Sequence, residues 1–304
     1  MAKSNQLIWR LSVLFPLLAV ISSFGFFALS GKRSQASVSS STALIAQPDE
    51  AFQNVITQWE REVKEKRLTF TIPVQFQAKT FDDVKLNSQE KVIALTFDDG
   101  PLPENTPQIL EILKNNNIKA TFFVVGRMVK EYPQLLQAVV KDGHAIGNHT
   151  WSHSYQNFSL DGAASEIDRT DAIIYEATGV KTFLFRPPGG FLHNGVADYA
   201  KKQNHAIVMW SADSNDYRRP PVDTFLNTVM REAGPGGIVL MHDGGGDRSQ
   251  TVAALPQLIA ELKDKGYKFV TLPELLKMAE KAQKSPVAAQ PPQSSNNTQK
   301  SNNN

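Results

Sequence analysis

Short apolar runs alternate with segments of helical spacing from about residue 90 to about residue 280. The apolar runs predict strands at 92–97, 120–125, 144–149, 182–186, 206–213, 237–243 and 268–272. Apolar residues that recur every three or four positions predict helices at 106–117, 132–143, 159–179, 194–204, 222–234 and 251–266. Gly143, Gly179 and Gly266 stand where helices are expected to end.

Nearly continuous apolar strands that alternate with helices are typical of a parallel sheet covered by helices. The pattern therefore predicts one α/β catalytic domain over residues 90–280. About seven strand–helix units favour a closed or partly closed barrel over an open sheet, and periodicity alone leaves both architectures open.

The stretch from residue 11 to residue 31 is uncharged and apolar, and it lies between Arg10 and Lys32. At ~1.5 Å per residue, a helix of this length crosses a ~30 Å hydrocarbon core. The segment predicts a membrane anchor or an export signal, with cleavage after Ala36 as the second alternative. A retained anchor is favoured because the apolar core is longer than the ~7–15 residues of a usual signal peptide. Residues 1–10 would then be a cytoplasmic stub, with the catalytic domain outside the cytoplasm.

The segments that flank the predicted domain are poor in regular pattern. Residues 32–89 predict a linker, with a short amphipathic helix over 49–68 and extended chain over 70–77. Residues 281–304 lack the apolar content that folding requires and predict a disordered tail. No protein partner is predicted from either flank.

Charge and cysteine content narrow the function classes. The chain has 32 basic and 30 acidic residues, which argues against a nucleic-acid-binding protein because such proteins usually carry a concentrated basic surface. The absence of cysteine excludes disulfides, thiolate metal sites and a cysteine nucleophile. Any metal must therefore bind His, Asp or Glu.

Reactive side chains recur at the carboxyl ends of the predicted strands, the edge at which barrel enzymes build their active sites. These residues are Asp98, Asp99, His149, Arg186, Asp213, His242 and Asp243. Five strand ends that carry such residues predict one convergent site rather than a merely solvated surface.

Two of these motifs suit a metal centre. In TFDDGP (96–101), one carboxylate suits a metal and its neighbour suits a general base, while the alternative is an acidic turn. In HTWSH (149–153), a helical or turn-like segment would aim both His149 and His153 at one point. Two imidazoles and one carboxylate leave positions open for water and substrate. His144, His193 and His205 are interpreted as structural or surface residues.

The remaining motifs supply groups that suit charge control and proton transfer. Arg186 can hold a carboxylate through its planar guanidinium. His242 suits a general acid if a carboxylate stabilises its imidazolium, and Asp213 and Asp216 are candidates for that carboxylate. The glycine run after His242 lacks the Lys-Ser/Thr of a phosphate-binding loop, and HTWSH lacks the glutamate of a His-Glu-x-x-His protease.

Taken in order, TFDDGP, HTWSH, RPPGG, DSNDY and MHDGGGDRSQT resemble the five motifs of the NodB-like polysaccharide deacetylases of carbohydrate esterase family 4 (CE4). The resemblance covers about residues 90–275. It implies a distorted (β/α) barrel and hydrolysis of an N-acetyl or O-acetyl group on a sugar polymer. It also implies that Asp99, His149 and His153 bind a divalent metal, commonly zinc, with cobalt, nickel or manganese as substitutes.

The same resemblance implies the roles in proton transfer. Asp98 would be the general base, oriented and stabilised by Arg186. His242 would protonate the leaving amine, with Asp216 as its first candidate partner and Asp213 as its second.

Two positions depart from the family pattern. Gly189 stands where members often carry Tyr, and Tyr217 stands where many carry Trp. The backbone N–H of Gly189 would still hold the oxyanion of the tetrahedral intermediate, and the lost aromatic wall predicts a more open site. A changed substrate shape is therefore expected, with the chemistry retained.

An exported or anchored enzyme of this family is expected to act on peptidoglycan N-acetylglucosamine in the cell envelope. Chitin-type oligosaccharides, an exopolysaccharide and acetylated xylan are alternative substrates. A metal hydrolase of non-sugar amides and a non-catalytic glycan-binding module are the competing function classes.

Overall fold

Eleven strands and eight helices lie within residues 69–86 and 90–284, the ranges that this computed structural model describes. The strands are β1 (Thr69–Phe70), β2 (Thr80–Phe81), β3 (Val92–Asp98), β4 (Thr121–Val124), β5 (Ala145–Asn148), β6 (Lys181–Thr182), β7 (Leu184–Phe185), β8 (Ala206–Val208), β9 (Ala212–Asp213), β10 (Gly237–His242) and β11 (Lys268–Phe269). The helices are α1 (Thr106–Asn115), α2 (Gly126–Glu131), α3 (Pro133–Lys141), α4 (Leu160–Thr178), α5 (Val196–Lys202), α6 (Val222–Glu232), α7 (Ser249–Asp264) and α8 (Leu272–Lys284).

Nine strands form one parallel sheet in the order β2–β8–β7–β5–β4–β3–β10–β9, with β11 beside the first half of β3. The apolar run 206–213 is not one strand, because β8 pairs with β7 whereas β9 pairs with β10. Residues 209–211 thus connect β8, which lies near one edge of the sheet, to β9, which is the strand at the opposite edge. This crossing, here called the seam, makes the structure a distorted (β/α) barrel and confirms the predicted fold class.

The centre of the barrel follows the sequence pattern closely. All seven residues of β3 are buried, and β4 and β10 flank its second half. Helix α4 begins after Ser159, whose hydroxyl accepts a hydrogen bond from the Gly162 N–H, and it ends at Gly179 with φ 72°. A left-handed residue at that point is the usual helix stop, as predicted.

Residues 69–86 do not behave as the predicted linker. Strand β2 extends the sheet beside β8, and Ile72 and Val84 are buried in a core cluster with residues of α8. Two-residue strands and short turns contain too few residues to show the repeating apolar pattern that identifies a strand or a helix in the sequence. Helices α2 and α8 were likewise absent from the predicted helices, and α8 continues to Lys284, inside the predicted tail.

In the portion of the chain that the structure describes, no helix is both long enough and apolar enough to cross a bilayer. The predictions for residues 1–10, for the apolar segment 11–31, for the amphipathic helix at 49–68 and for residues 285–304 lie outside the described residues.

Candidate active site

A cleft of about 870 Å³ opens at the carboxyl edge of the sheet. Eight of the ten predicted site residues line it: Asp98, Asp99, His149, His153, Gly189, Asp213, Tyr217 and His242. The other two, Arg186 and Asp216, are buried beneath its floor, at 0% and 1% exposure. The structure therefore brings all ten residues to one place.

The two adjacent carboxylates diverge because the chain turns between them. Asp98 is the last residue of β3, and Asp99 has left-handed backbone with φ 76°. The glycine run after β10 packs against this turn so closely that a Cβ on Gly245 would lie 2.4 Å from Asp99 Oδ2. The glycines of this run thus permit a close backbone approach that fixes Asp99.

The loop that carries the two histidines is a turn, not a helix. Thr150 and His153 have φ of 66° and 54°, and the Thr150 hydroxyl accepts a hydrogen bond from the His153 N–H at 3.1 Å. Glu166 on α4 accepts hydrogen bonds from the Ser152 N–H and hydroxyl at 2.8 and 2.9 Å. These contacts bring the imidazole centroids of His149 and His153 to 5.0 Å.

Asp99, His149 and His153 fit a divalent cation. Asp99 Oδ1 lies 3.4 Å from His149 Nε2 and 3.0 Å from His153 Nε2, and the three candidate ligand atoms lie within 4.8 Å of one another. His149 Nδ1 donates to the carbonyl of Arg186 at 2.7 Å, which leaves Nε2 of the same ring as the atom that faces the cluster. Asp99 Oδ1 is buried without a hydrogen-bond partner in the described part of the chain. Such an acceptor-rich point needs a cation.

The electrostatics of this cluster favour positive charge. Burial raises the pKa of Asp99, but the facing imidazoles outweigh it and hold the pKa well below its usual value. Burial lowers the pKa of His153, and the Asp99 carboxylate outweighs this effect so that the pKa rises. The carboxylate is thus ionised at neutral pH and attracts either a proton or a metal ion.

Arg186 connects the site to the seam. Its Nη1 donates to Asp98 Oδ1 and to the Thr96 hydroxyl, both at 2.8 Å. Its Nε and Nη2 donate to the carbonyls of Val208 and Met209 at 3.0 Å, where β8 leaves the sheet ladder. One buried guanidinium therefore orients Asp98 and also satisfies backbone groups at the seam.

His242 and Asp216 form a tight pair. His242 Nδ1 lies 2.6 Å from Asp216 Oδ1, and Asp216 Oδ2 accepts hydrogen bonds from the His242 N–H and the Thr251 hydroxyl, each at 2.8 Å. Burial lowers the pKa of His242, but Asp216 outweighs it and raises the pKa to about 9. Asp213 Oδ1 instead accepts a hydrogen bond from the Asn215 N–H, so Asp216 is the partner of His242.

The pairing of β3 with β10 sets Asp98 opposite His242. The two residues are partners in the strand register, so their side chains leave the same face of the sheet. A carboxylate held by Arg186 and an imidazolium held by Asp216 thus flank the candidate metal ligands.

Some supporting residues had no sequence signal. Glu166 and Thr251 act through distant contacts, and a polar residue within a helix does not reveal its partner. Among the remaining histidines, His144 accepts the Ala120 N–H at 3.0 Å and its pKa is lowered by burial to about 4, which is consistent with a structural role.

A sequence profile described as "Polysaccharide deacetylase" matches residues 85–208 of the chain. A peptidoglycan-N-acetylglucosamine deacetylase of Bacillus cereus is 45% identical over 192 residues, which are 62% of this chain and 90% of the relative. The chain belongs to the polysaccharide deacetylase family. The predicted family membership and the predicted class of enzyme are confirmed.

Solved structures agree with this assignment. The deacetylase matches the Bc1960 peptidoglycan N-acetylglucosamine deacetylase with a TM-score of 0.63 and 37% identity, over 67% of this chain and 95% of that chain. It also matches a CE4 family pseudoenzyme from Bacillus anthracis with a TM-score of 0.60 and 35% identity, over 66% of this chain and 69% of that chain.

Proposed function

We propose that this deacetylase removes N-acetyl groups from N-acetylglucosamine units of peptidoglycan with the aid of a divalent metal. The observation that carries the proposal is the candidate metal cluster flanked by the Arg186–Asp98 pair and the Asp216–His242 pair in one cleft. The choice of substrate is supported by the relatives named above, two of which are described as peptidoglycan N-acetylglucosamine deacetylases.

Asp99, His149 and His153 would hold the metal. Zinc is proposed first because two imidazoles and one carboxylate suit it, with cobalt, nickel and manganese as substitutes. The metal, when bound, would polarise the acetyl carbonyl and acidify a water molecule.

Asp98 is proposed as the general base that takes a proton from the attacking water. Its second oxygen is not engaged by Arg186 and lies 3.7 Å from His149 Nε2, on the side of the candidate metal cluster. The Arg186 guanidinium stabilises the ionised carboxylate and fixes its orientation. A carboxylate that is already held facing the candidate metal cluster needs no rearrangement before proton transfer.

His242 is proposed as the general acid that protonates the leaving amine. Asp216 keeps the imidazole protonated at neutral pH and fixes which ring nitrogen faces the cleft. The Gly189 N–H is proposed to hold the developing oxyanion. Tyr217, with its ring 5.9 Å from that of His242, would form the wall beside the acid.

The catalytic domain is proposed to include residues 69–86 in addition to the predicted range 90–280, because those residues pack into its core. Action on peptidoglycan would place the domain outside the cytoplasm, in the cell envelope. Anchoring by residues 11–31, or secretion after their cleavage, stays a prediction.

Acetate release tests the proposal directly. The purified full chain should release acetate from peptidoglycan, lose that activity after treatment with a chelator and regain it on addition of zinc. Chitin oligomers, acetylated xylan and small N-acetyl amides serve as comparison substrates. Activity that survives complete metal removal would contradict the metal role, and release from small amides alone would contradict the sugar-polymer role.

A non-catalytic glycan-binding function is the second candidate, because one similar solved structure is described as a pseudoenzyme. It predicts glycan binding without acetate release. The base, the acid and the three candidate ligands all occupy the cleft in this chain, which favours turnover.

The pH profile of kcat/KM should have a basic limb near pH 9. The raised pKa of His242 means that the acid is protonated below about pH 9 and loses its proton above it. Asp216→Asn removes the carboxylate that raises this pKa and should shift the limb towards lower pH. Rates measured from neutral to strongly alkaline pH, for both proteins, check the prediction. An unshifted limb in the variant would mean that another group controls it.

A further inference from the structure

Two aromatic side chains beside the cleft are exposed to solvent and contact each other. Tyr155 is 57% exposed and Phe191 is 51% exposed, and their ring centroids are 5.6 Å apart in an edge-to-face arrangement. The Tyr155 ring also lies 5.2 Å from the ring of His153, a candidate metal ligand. The pair, here called the aromatic platform, therefore lies next to the candidate metal site, in contact with His153 through the Tyr155 ring.

The platform occupies the space above Gly189. A Cβ on Gly189 would lie 2.9 Å from Tyr155 Cε1 and 3.0 Å from Phe191 Cε2, and the residue has φ 60°. A side chain at this position would be strained and would displace both rings. The sequence predicted a more open site at Gly189, whereas the structure fills that space with the ring of Tyr155 from the histidine loop and with the ring of Phe191, two residues further along the same loop.

Aromatic faces that are exposed at a cleft carry an unfavourable free energy of exposure to water, which a ligand that covers them removes. Of the six large hydrophobic side chains that are exposed among the described residues, Tyr155, Phe191 and Tyr217 lie at or beside this cleft. Tyr217 contacts His242, whereas Tyr155 contacts His153. The aromatic surface thus extends along the cleft on both sides of the reacting groups.

We propose that Tyr155 and Phe191 bind the pyranose ring of a glycan unit next to the one that is deacetylated. A pyranose ring has a face of C–H groups, which packs on an aromatic ring, and hydroxyls around its rim that stay in water. This inference rests on the proposed function, since it concerns the same cleft and a sugar-polymer substrate. The platform would make a chain of sugars a better substrate than an isolated unit.

The chain-length dependence of the kinetics tests the platform. For Tyr155→Ala and Phe191→Ala, KM for long N-acetylated glycan fragments should rise about fivefold, with kcat unchanged. KM for the shortest fragment that is turned over should not change, because it does not reach the platform. Tyr155→Phe keeps the ring and should behave like the unaltered protein.

Tyr175→Ala is the matched control, because Tyr175 is an exposed aromatic residue on α4 that does not line the cleft. Metal content should be equal in all variants. Equal loss with short and long fragments, or loss of metal from Tyr155→Ala, would overturn the platform and assign Tyr155 to support of His153.

Direct binding separates this inference from the proposed function. If the unaltered protein releases no acetate, the proposed function fails. Calorimetric titration with long N-acetylated glycan fragments then still tests the platform, with about fivefold weaker binding expected for Tyr155→Ala. Equal affinity in the two proteins would overturn the platform, whatever the outcome of the acetate assay.

Discussion

Asp98→Asn should lower the rate of acetate release by about 10³-fold and leave metal binding intact. The amide cannot take a proton from water, yet its oxygen can still accept the hydrogen bond that Arg186 Nη1 donates to Oδ1 at 2.8 Å. Side-chain volume and the geometry of the floor are retained. The measurement is kcat for acetate release together with the metal content of the purified variant.

Asp82→Asn provides the control for this experiment, because Asp82 is an exposed carboxylate outside the cleft. It should retain full activity. Full activity of Asp98→Asn would contradict the base assignment, and joint loss of activity and metal would instead make Asp98 a ligand.

Arg186→Met should reduce the free energy of unfolding by about 3–5 kcal/mol and abolish activity. Methionine fills part of the volume, but the buried Asp98 carboxylate and the carbonyls of Val208 and Met209 lose their donors. A buried charge without a partner is far more costly than a lost surface pair. Urea unfolding of the variant and the unaltered protein gives the difference.

A double-mutant cycle identifies the source of that loss. Arg186→Met combined with Asp98→Asn should be less destabilised than the sum of the single changes, because the unpaired charge is gone. Arg231→Met, at an exposed surface pair, should change the free energy of unfolding by less than about 1 kcal/mol. Additive effects at positions 186 and 98 would mean that the pair is not energetically coupled.

Local patterns predicted much of the fold and the reactive side chains of the cleft. Strand β3 is apolar except for Thr96 until it ends at Asp98, and Asp99 follows directly, so both its burial and its position at the active edge could be inferred. Helix α4 carries its start at Ser159 and its stop at Gly179 in the sequence itself. The order of the five motifs then gave each reactive side chain an expected role.

Features that depend on distant packing were not predictable. The seam looked like one strand because the apolar run of residues 206–210 continues from β8 towards β9 without a break, and only the different neighbours of β8 and β9 separate them. The aromatic platform joins Tyr155 and Phe191, which lie in separate loops with no shared period. The strands within residues 69–86 contain only two residues each, and β2 cannot be recognised as a strand before its pairing with β8 is known.

The pairing of β3 with β10 also sets the order in which the site is assembled during synthesis. The candidate base and the candidate metal ligands are all present once the chain has reached His153, whereas the candidate proton donor is His242, about 90 residues later. Strand β3 gains its remaining neighbours, β10 and β11, from the last third of the chain, and such long-range pairings form late because loop closure precedes them. A nascent chain would thus contain the candidate metal ligands before the candidate acid, so the proposed set of reacting groups is complete only when β10 pairs with β3.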